Sequence, residues 1–217
     1  MFLHIVLSLL IAGAAPGQHE GKIYDKDIAA FEAKDKVNPP AQGGLLFVGS
    51  STIRMWDVSK FFPDLKPLNR GFGGSQFSDI REYVDRVIVA YHPKTIVLYA
   101  GDNDIAHDKT PEQTFADFKS VIDAIHAELK DVRVLALSIK PSVARWDKYD
   151  KMKQVNKGMA ELADKDPQVE YVELGAPLLD ADGRPNPEFY MEDGLHLNDK
   201  GYGIWAEILR PLLTQKP

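Results

Sequence analysis

Four short polar stretches of this chain hold residue types that can do chemistry together. They are Gly49-Ser50-Ser51, Gly71-Phe72-Gly73-Gly74-Ser75, Gly101-Asp102-Asn103-Asp104 and Asp193-Gly194-Leu195-His196. A serine hydroxyl is a weak nucleophile until a neighbouring base takes its proton. Histidine can take that proton and give it back near neutral pH. A carboxylate on the other ring nitrogen fixes the tautomer and stabilises the imidazolium. Asp193 and His196 are three residues apart, so one turn can set them side by side. Attack on a carbonyl makes an oxyanion, which needs donors already in place. The backbone N–H groups of Ser51 and Gly74 and the amide of Asn103 suit that task, and each donor of this kind contributes about 3 to 4 kcal/mol.

Each stretch also has a plainer reading. Gly-Ser-Ser after an apolar run can be a helix cap, and the glycine-rich stretch can be a turn. Asn103 can order its own loop through side-chain to backbone bonds. An Asp-x-x-His pair can be half of a metal site, but no further histidines or carboxylates stand at ligand spacing, so neither metal nor cofactor is expected. Of the six histidines, His4 and His19 lie in or beside an apolar leader. His92 precedes Pro93 in a connection, and His126 sits on a helix between Ile125 and Leu129. His107 follows the Asn103 stretch and is a candidate substrate contact. His196 alone has an aspartate at the right spacing. Between the two serines, Ser51 opens the helix, where a side chain can face outward while its N–H faces the oxyanion, so Ser51 is the expected nucleophile.

The elements that must position these groups alternate along the chain. Apolar or β-branched runs at 45–48, 95–100, 132–139 and 169–174 read as strands, and 67–72 is a weaker candidate. Helical spacing marks 23–36, 75–91, the stretch after Thr110, 152–162 and 202–212. Thr110, Pro111 and Gln113 form a capping box with proline at the first helical position. Strand and helix in alternation imply a parallel sheet covered by helices on both faces. Ligands bind such sheets beyond the carboxyl ends of the strands. Three of the polar stretches follow the first three strands directly, and the fourth closes the long loop after the fifth. Their joint occurrence in that order favours catalysis over four unrelated turns.

The 217 residues carry a net charge of −6, with signs interspersed, and no cysteine. No basic block points to nucleic acid, and there is no disulfide, thiolate metal site or cysteine nucleophile. Residues 2–15, FLHIVLSLLIAGAA, are apolar, shorter than the roughly 20 residues that span a bilayer, and end in the A-x-A-like Ala12-Gly13-Ala14. Residues 1–18 therefore read as a secretory signal peptide, and 19–217 as a single domain, secreted or periplasmic, with no stable membrane insertion of the mature chain. No linker or repeat divides it, and no pattern bears on its oligomeric state.

Taken together, the four stretches resemble the blocks of the SGNH hydrolases, the GDSL-type esterase and lipase superfamily, over about residues 44–213. The overall look is most similar to the bacterial relatives of platelet-activating-factor acetylhydrolase catalytic subunits. The resemblance implies a three-layer α/β, flavodoxin-like fold with a five-stranded parallel sheet ordered 2-1-3-4-5. It implies a metal-independent acyl-enzyme mechanism with Ser51, His196 and Asp193 as the triad and Ser51, Gly74 and Asn103 as the oxyanion hole. One position departs from the family: Ser50 stands where an aspartate is usual, which bears on the support of the nucleophile turn and leaves the triad intact. Arg54, His107, Trp146 and Tyr190 are candidate substrate contacts. Trp56 and Phe72 are further cleft candidates, core packing being the favoured reading of Trp56, and Arg145 is a possible polar contact. No long apolar lid is evident. The expected substrate is a small or short-chain acyl ester, including acetyl groups on carbohydrate. Lysophospholipid or thioester cleavage is an alternative, as is a non-catalytic carbohydrate- or nucleotide-binding domain.

Overall fold

Successive side chains of a strand point to opposite faces of its sheet, and here both faces are covered. The computed structural model describes residues 22–214, so the expected signal peptide lies outside the described residues. Five strands, β1 (Leu45–Gly49), β2 (Leu68–Gly71), β3 (Thr95–Tyr99), β4 (Arg133–Leu137) and β5 (Val169–Val172), form one sheet in the order 2-1-3-4-5. Every pairing is parallel. Around them run α1 (Asp25–Val37), α2 (Ser51–Arg54), α3 (Val58–Phe61), α4 (Phe77–Glu82), α5 (Val84–Val87), α6 (Asp102–Ala106), α7 (Pro111–Glu128), α8 (Tyr149–Ala163) and α9 (Asp199–Thr214). No helix among the described residues is long and apolar enough to cross a membrane.

The pleat divides the core in two. Leu46, Val48, Ile96, Leu98, Val134 and Ala136 enter one cluster, packed by α1, α4, α5, α7 and α8. Phe47, Val97, Tyr99, Leu135 and Leu137 enter the other, with Ile53, Trp56, Tyr202 and Trp205. Burial on both faces is why β1, β3 and β4 read as near-continuous apolar runs rather than as alternations. The second cluster is aromatic: Trp56 stacks on Tyr202 with ring centroids 5.2 Å apart and meets Trp205 edge-on at 5.7 Å. Such pairs add about 0.5 to 1.5 kcal/mol each beyond the area they bury.

The expected capping box is present. Gln113 N–H donates to Thr110 Oγ1 at 3.2 Å, and Thr110 N–H donates to Gln113 Oε1 at 3.0 Å. The helix expected over 75–91 is not continuous. Tyr83, at φ −103° and ψ 10°, separates α4 from α5, and a short 3-10 turn, Val89–Tyr91, follows, ended by left-handed His92. Phe77, Ile80, Val84, Val87, Ile88 and Tyr91 are all buried. The apolar spacing thus reported the buried face correctly and missed the interruption of the hydrogen-bond ladder. At the break the Tyr83 ring packs edge-on against Phe72, centroids 6.2 Å apart, a tertiary contact that no local spacing encodes.

β1 stops at Gly49, whose φ of 151° favours glycine. A Cβ there would stand 1.9 Å from the Tyr99 carbonyl oxygen on the neighbouring strand. Gly49→Ala is therefore expected to lower unfolding free energy by more than about 3 kcal/mol, through combined strain and backbone overlap, read as a shift of the urea midpoint. A midpoint equal to that of the parent chain would refute this account of the turn.

Candidate active site

Beyond Gly49 the chain turns sharply. Ser50 is extended and precedes α2, and Ser51 is the first residue of that helix. Ser51 Oγ lies 2.9 Å from His196 Nε2, and His196 Nδ1 lies 2.6 Å from Asp193 Oδ2. Asp193 Oδ1 accepts the backbone N–H groups of Leu195 and His196, both at 2.9 Å. The turn is pinned by Met191 N–H to the His196 carbonyl at 2.8 Å and by Ala144 N–H to the Gly194 carbonyl at 3.0 Å. With the carboxylate engaging Nδ1–H, Nε2 is left as an acceptor for the Ser51 hydroxyl. Burial pushes the Asp193 carboxyl up, but the His196 ring and the two backbone N–H groups outweigh it and hold the group down at about 2. Asp193 is thus ionised throughout the neutral range.

The next two turns bring donors. Among the described residues no acceptor takes the backbone N–H of Ser51 or of Gly74. Gly74 is solvent-exposed, with φ 84°. Asn103 follows β3 on α6 and is 5% exposed. Its Nδ2 donates to the Ser75 carbonyl at 3.1 Å, and its Oδ1 accepts from Arg145 Nη2 at 3.1 Å. The second Nδ2 proton has no acceptor among the described residues. The three turns are also tied to one another. Asn69 on β2 donates from Nδ2 to the Ile53 carbonyl at 2.7 Å and accepts Gly71 N–H at 2.8 Å. Asp104 accepts Phe77 N–H and Lys109 Nζ, the latter at 3.0 Å. Burial lifts the Asp104 carboxyl to about 6 against the pull of Lys109. Tyr202 OH donates to the Thr52 carbonyl at 2.8 Å, anchoring α2 on α9.

The candidate substrate contacts separate into two groups. Arg54 is exposed, with its guanidinium lying over Gly73, where a Cβ would come within 2.8 Å of Cζ. Trp146 is half-buried and stacks on Tyr149, centroids 5.4 Å apart. His107 is exposed and its Nδ1 lies 2.7 Å from the Asn103 backbone carbonyl, away from the Asn103 amide. Tyr190, Trp56 and Phe72, in contrast, are packing residues, with 5%, 2% and 1% exposure. Tyr190 OH donates to the Pro141 carbonyl at 2.9 Å, which uses the polar end that a substrate would need. Large aromatic surface explains this: burying it in the core is worth more than leaving it at a rim. A cleft of about 510 Å³ opens beside α2, flanked by Met55 and Met191, floored by Leu197 and Tyr202, and edged by Asp57, Glu188, Asp199 and Lys200. A cavity of about 930 Å³ lies at the other end of the strands, between His92–Thr95 and Glu128–Arg133. It contains no nucleophile paired with a base, so the chemistry is assigned to the carboxyl edge.

The GDSL-like lipase/acylhydrolase family model matches residues 57–204. The match includes Gly74, Asn103, Asp193 and His196 and begins after Ser51. The chain belongs to this family and is a hydrolase. Its structure is similar to that of a provisionally named platelet activating factor from Streptococcus pneumonia, at 25% identity and a TM-score of 0.77, covering 87% of this chain and 92% of that one. It is similar to a GDSL-like lipase from Bacteroides thetaiotaomicron, at 19% identity and a TM-score of 0.74, covering 86% and 97%. It also shares its fold with an acetylxylan esterase from Geobacillus stearothermophilus, at 12% identity and a TM-score of 0.64, covering 82% and 97%. The sheet order and the helices around it match the SGNH hydrolase fold. No curated protein matches the chain.

One residue of the site escaped sequence reasoning. Lys140 follows β4 and is 1% exposed. Its Nζ donates to the Leu195 carbonyl at 2.7 Å, inside the Asp193–His196 turn. Its signal was a lone lysine directly after an apolar strand, in the same relation to the sheet edge as the other polar stretches. Burial pulls the ammonium down to about 8, against the attraction of Asp102 and Asp193. Between about 8 and the ordinary lysine value of about 10.4, the unfolded chain holds a proton that the folded chain does not. The Lys140 contribution to stability must therefore rise with pH across that window. Denaturant titrations from pH 7.5 to 9, below the range in which the buried tyrosines ionise on unfolding, are expected to show this rise in the parent protein and a flatter profile in Lys140→Met. Parallel profiles would mean that Lys140 does not carry it.

Proposed function

We propose that the protein is a carboxylic ester hydrolase that works through an acyl-enzyme on Ser51. The observation that carries this reading is the hydrogen-bonded chain from Ser51 Oγ to His196 Nε2 and from His196 Nδ1 to Asp193 Oδ2. In the first half-reaction Ser51 Oγ bonds to the ester carbonyl carbon and its proton passes to His196 Nε2. The oxyanion is met by the N–H groups of Ser51 and Gly74 and by the free Nδ2 proton of Asn103. Collapse breaks the bond to the alkoxy oxygen, which leaves with the proton from His196. In the second half-reaction water gives its proton to His196 and attacks the acyl carbon. Ser51 then recovers that proton as the acid departs.

The expected substrates are small or short-chain acyl esters, including acetyl groups on carbohydrate. The site is open: the Asp193 side chain is 47% exposed, and the adjacent cleft is a shallow groove between two methionines. The likeness in fold to an acetylxylan esterase makes acetylated xylo-oligosaccharides a reasoned arm of the test. The Met55 and Met191 sides of the groove, whose remaining walls include Asp57, Glu188, Asp199 and Lys200, support a second reading, in which a longer acyl chain is accepted, as in a lysophospholipase or thioesterase. If the leader is cleaved, the enzyme acts outside the cytoplasm.

Ser51→Ala is expected to lower p-nitrophenyl acetate turnover by about 10⁴-fold or more, while Ser50→Ala retains activity within about tenfold. The reverse pattern would move the nucleophile to Ser50. A fluorophosphonate is expected to add one equivalent, mapped to Ser51 by mass, and no adduct on the folded protein would favour a binding domain. Across p-nitrophenyl acetate, butyrate and octanoate and acetylated xylo-oligosaccharides, short chains and acetyl-sugars are expected to react fastest. A rate rising with chain length would replace the short-chain reading with the second one.

A further inference from the structure

The donor that Asn103 offers depends on which way its amide points. Its Oδ1 accepts from Arg145 Nη2 at 3.1 Å, and its Nδ2 donates to the Ser75 carbonyl at 3.1 Å. Rotating the amide by half a turn would set its NH₂ against the guanidinium and its oxygen against the Ser75 carbonyl, losing both bonds. Arg145 is itself anchored by Nη1 to Asp102 Oδ2 at 3.0 Å. Asp102 Oδ1 is buried and has no other donor among the described residues. The Arg145 side chain is 18% exposed and that of Asp102 4%. The planar fork of arginine therefore spans two neighbouring residues of the oxyanion turn, a geometry that an ammonium cannot reproduce.

We propose that Arg145 is a positioning residue that locks and polarises the Asn103 amide, so that its one unused N–H is the oxyanion donor. The guanidinium draws electron density through Oδ1, and a hydrogen-bonded chain of this kind strengthens its terminal donor. Arg145 comes from the connection after β4, whereas Asn103 follows β3. The same connection holds the other half of the site through Ala144 N–H to the Gly194 carbonyl at 3.0 Å and Lys140 Nζ to the Leu195 carbonyl. The β4–α8 connection thus sets both the donor side and the base side relative to Ser51. The inference rests on the ester-hydrolase reading for its kinetic consequence and on geometry alone for the state of the amide.

A double-mutant cycle tests it. Arg145→Lys keeps a charge for Asp102 while losing the fork. It is expected to lower kcat on p-nitrophenyl acetate by about 30-fold or more, with KM changed less than about threefold, since the donor acts on the transition state. Asn103→Ala should lower kcat at least as far. In the Asn103→Ala background, Arg145→Lys should then cost less than about threefold, because its route of action is gone. Equal losses in both backgrounds, or a loss confined to KM, would overturn the proposal. A second readout needs no turnover. With ¹⁵N-asparagine labelling, the resonance pair missing from Asn103→Ala identifies the Asn103 Nδ2 protons. Their separation should differ from that of a free asparagine amide in the parent protein, then move toward the free-amide separation, with faster solvent exchange, in folded Arg145→Lys. An unchanged pair would overturn the proposal even if p-nitrophenyl acetate proved not to be a substrate. Absence of turnover by the parent on every ester tested would instead count against the hydrolase reading.

Discussion

The rest of the site depends on one backbone contact, the approach of Gly49 to the Tyr99 carbonyl. β1 is flanked by β2 and β3, and its hydrogen bonds continue past its end: Ser50 N–H reaches the Tyr99 carbonyl at 3.0 Å, and Phe72 N–H reaches the Gly49 carbonyl at 2.9 Å. Ser50 and Phe72 therefore leave the sheet in fixed register, and with them the Ser51 turn and the glycine turn that carries Gly74. Parallel pairing makes this possible, because all strands end at the same edge and each delivers its turn there. Side chains larger than hydrogen at Gly49 would separate β1 from β3 and move Ser51 away from a histidine that arrives from 145 residues further along.

A second constraint is electrostatic. The carboxyl edge buries Asp102, Asp104 and Lys140 almost completely, and each is held by a specific partner: Arg145, Lys109 and the Leu195 carbonyl. Unpaired, such groups would be costly, and even paired their attraction only roughly offsets the loss of water. Here they contribute geometry. Asp104 joins the third turn to α4, Arg145 joins it to the β4–α8 connection, and Lys140 joins that connection to the turn of Asp193 and His196. Ser50 lies in the same region, fully buried, its hydroxyl without a partner among the described residues. The Ser50–Ser51 turn is consequently supported by backbone bonds and by Tyr202 under Thr52, with no carboxylate at position 50.

Much of the arrangement was legible in the chain. Apolar runs located four strands and a weaker segment the fifth, the Thr110-Pro111-Gln113 box located the start of α7, and the polar stretches after strands located the edge where the candidate site forms. The failures share a cause. The 75–91 segment kept its apolar spacing through two breaks, because spacing reports which face is buried and not which hydrogen bonds survive. Tyr190 and Phe72 looked like cleft aromatics because an aromatic near a polar stretch reads the same whether its ring faces solvent or core. Lys140 was passed over because the turn after β4 holds no glycine pair or histidine to mark it.

What the sequence determined by itself is what depends on local pattern: strand and helix type, the chain order of the polar turns, and the Asp193–His196 pairing, which three residues of spacing can encode. Tertiary structure alone decided which groups meet across the chain. Ser51 reaches His196, Arg145 reaches both Asp102 and Asn103, and Lys140 reaches the carbonyl of Leu195, at separations of 42 to 145 residues. Those meetings follow from strand order and from crossovers that return each strand to the same edge. No residue's type or neighbours record that order, because it is set by how two cores are filled at once.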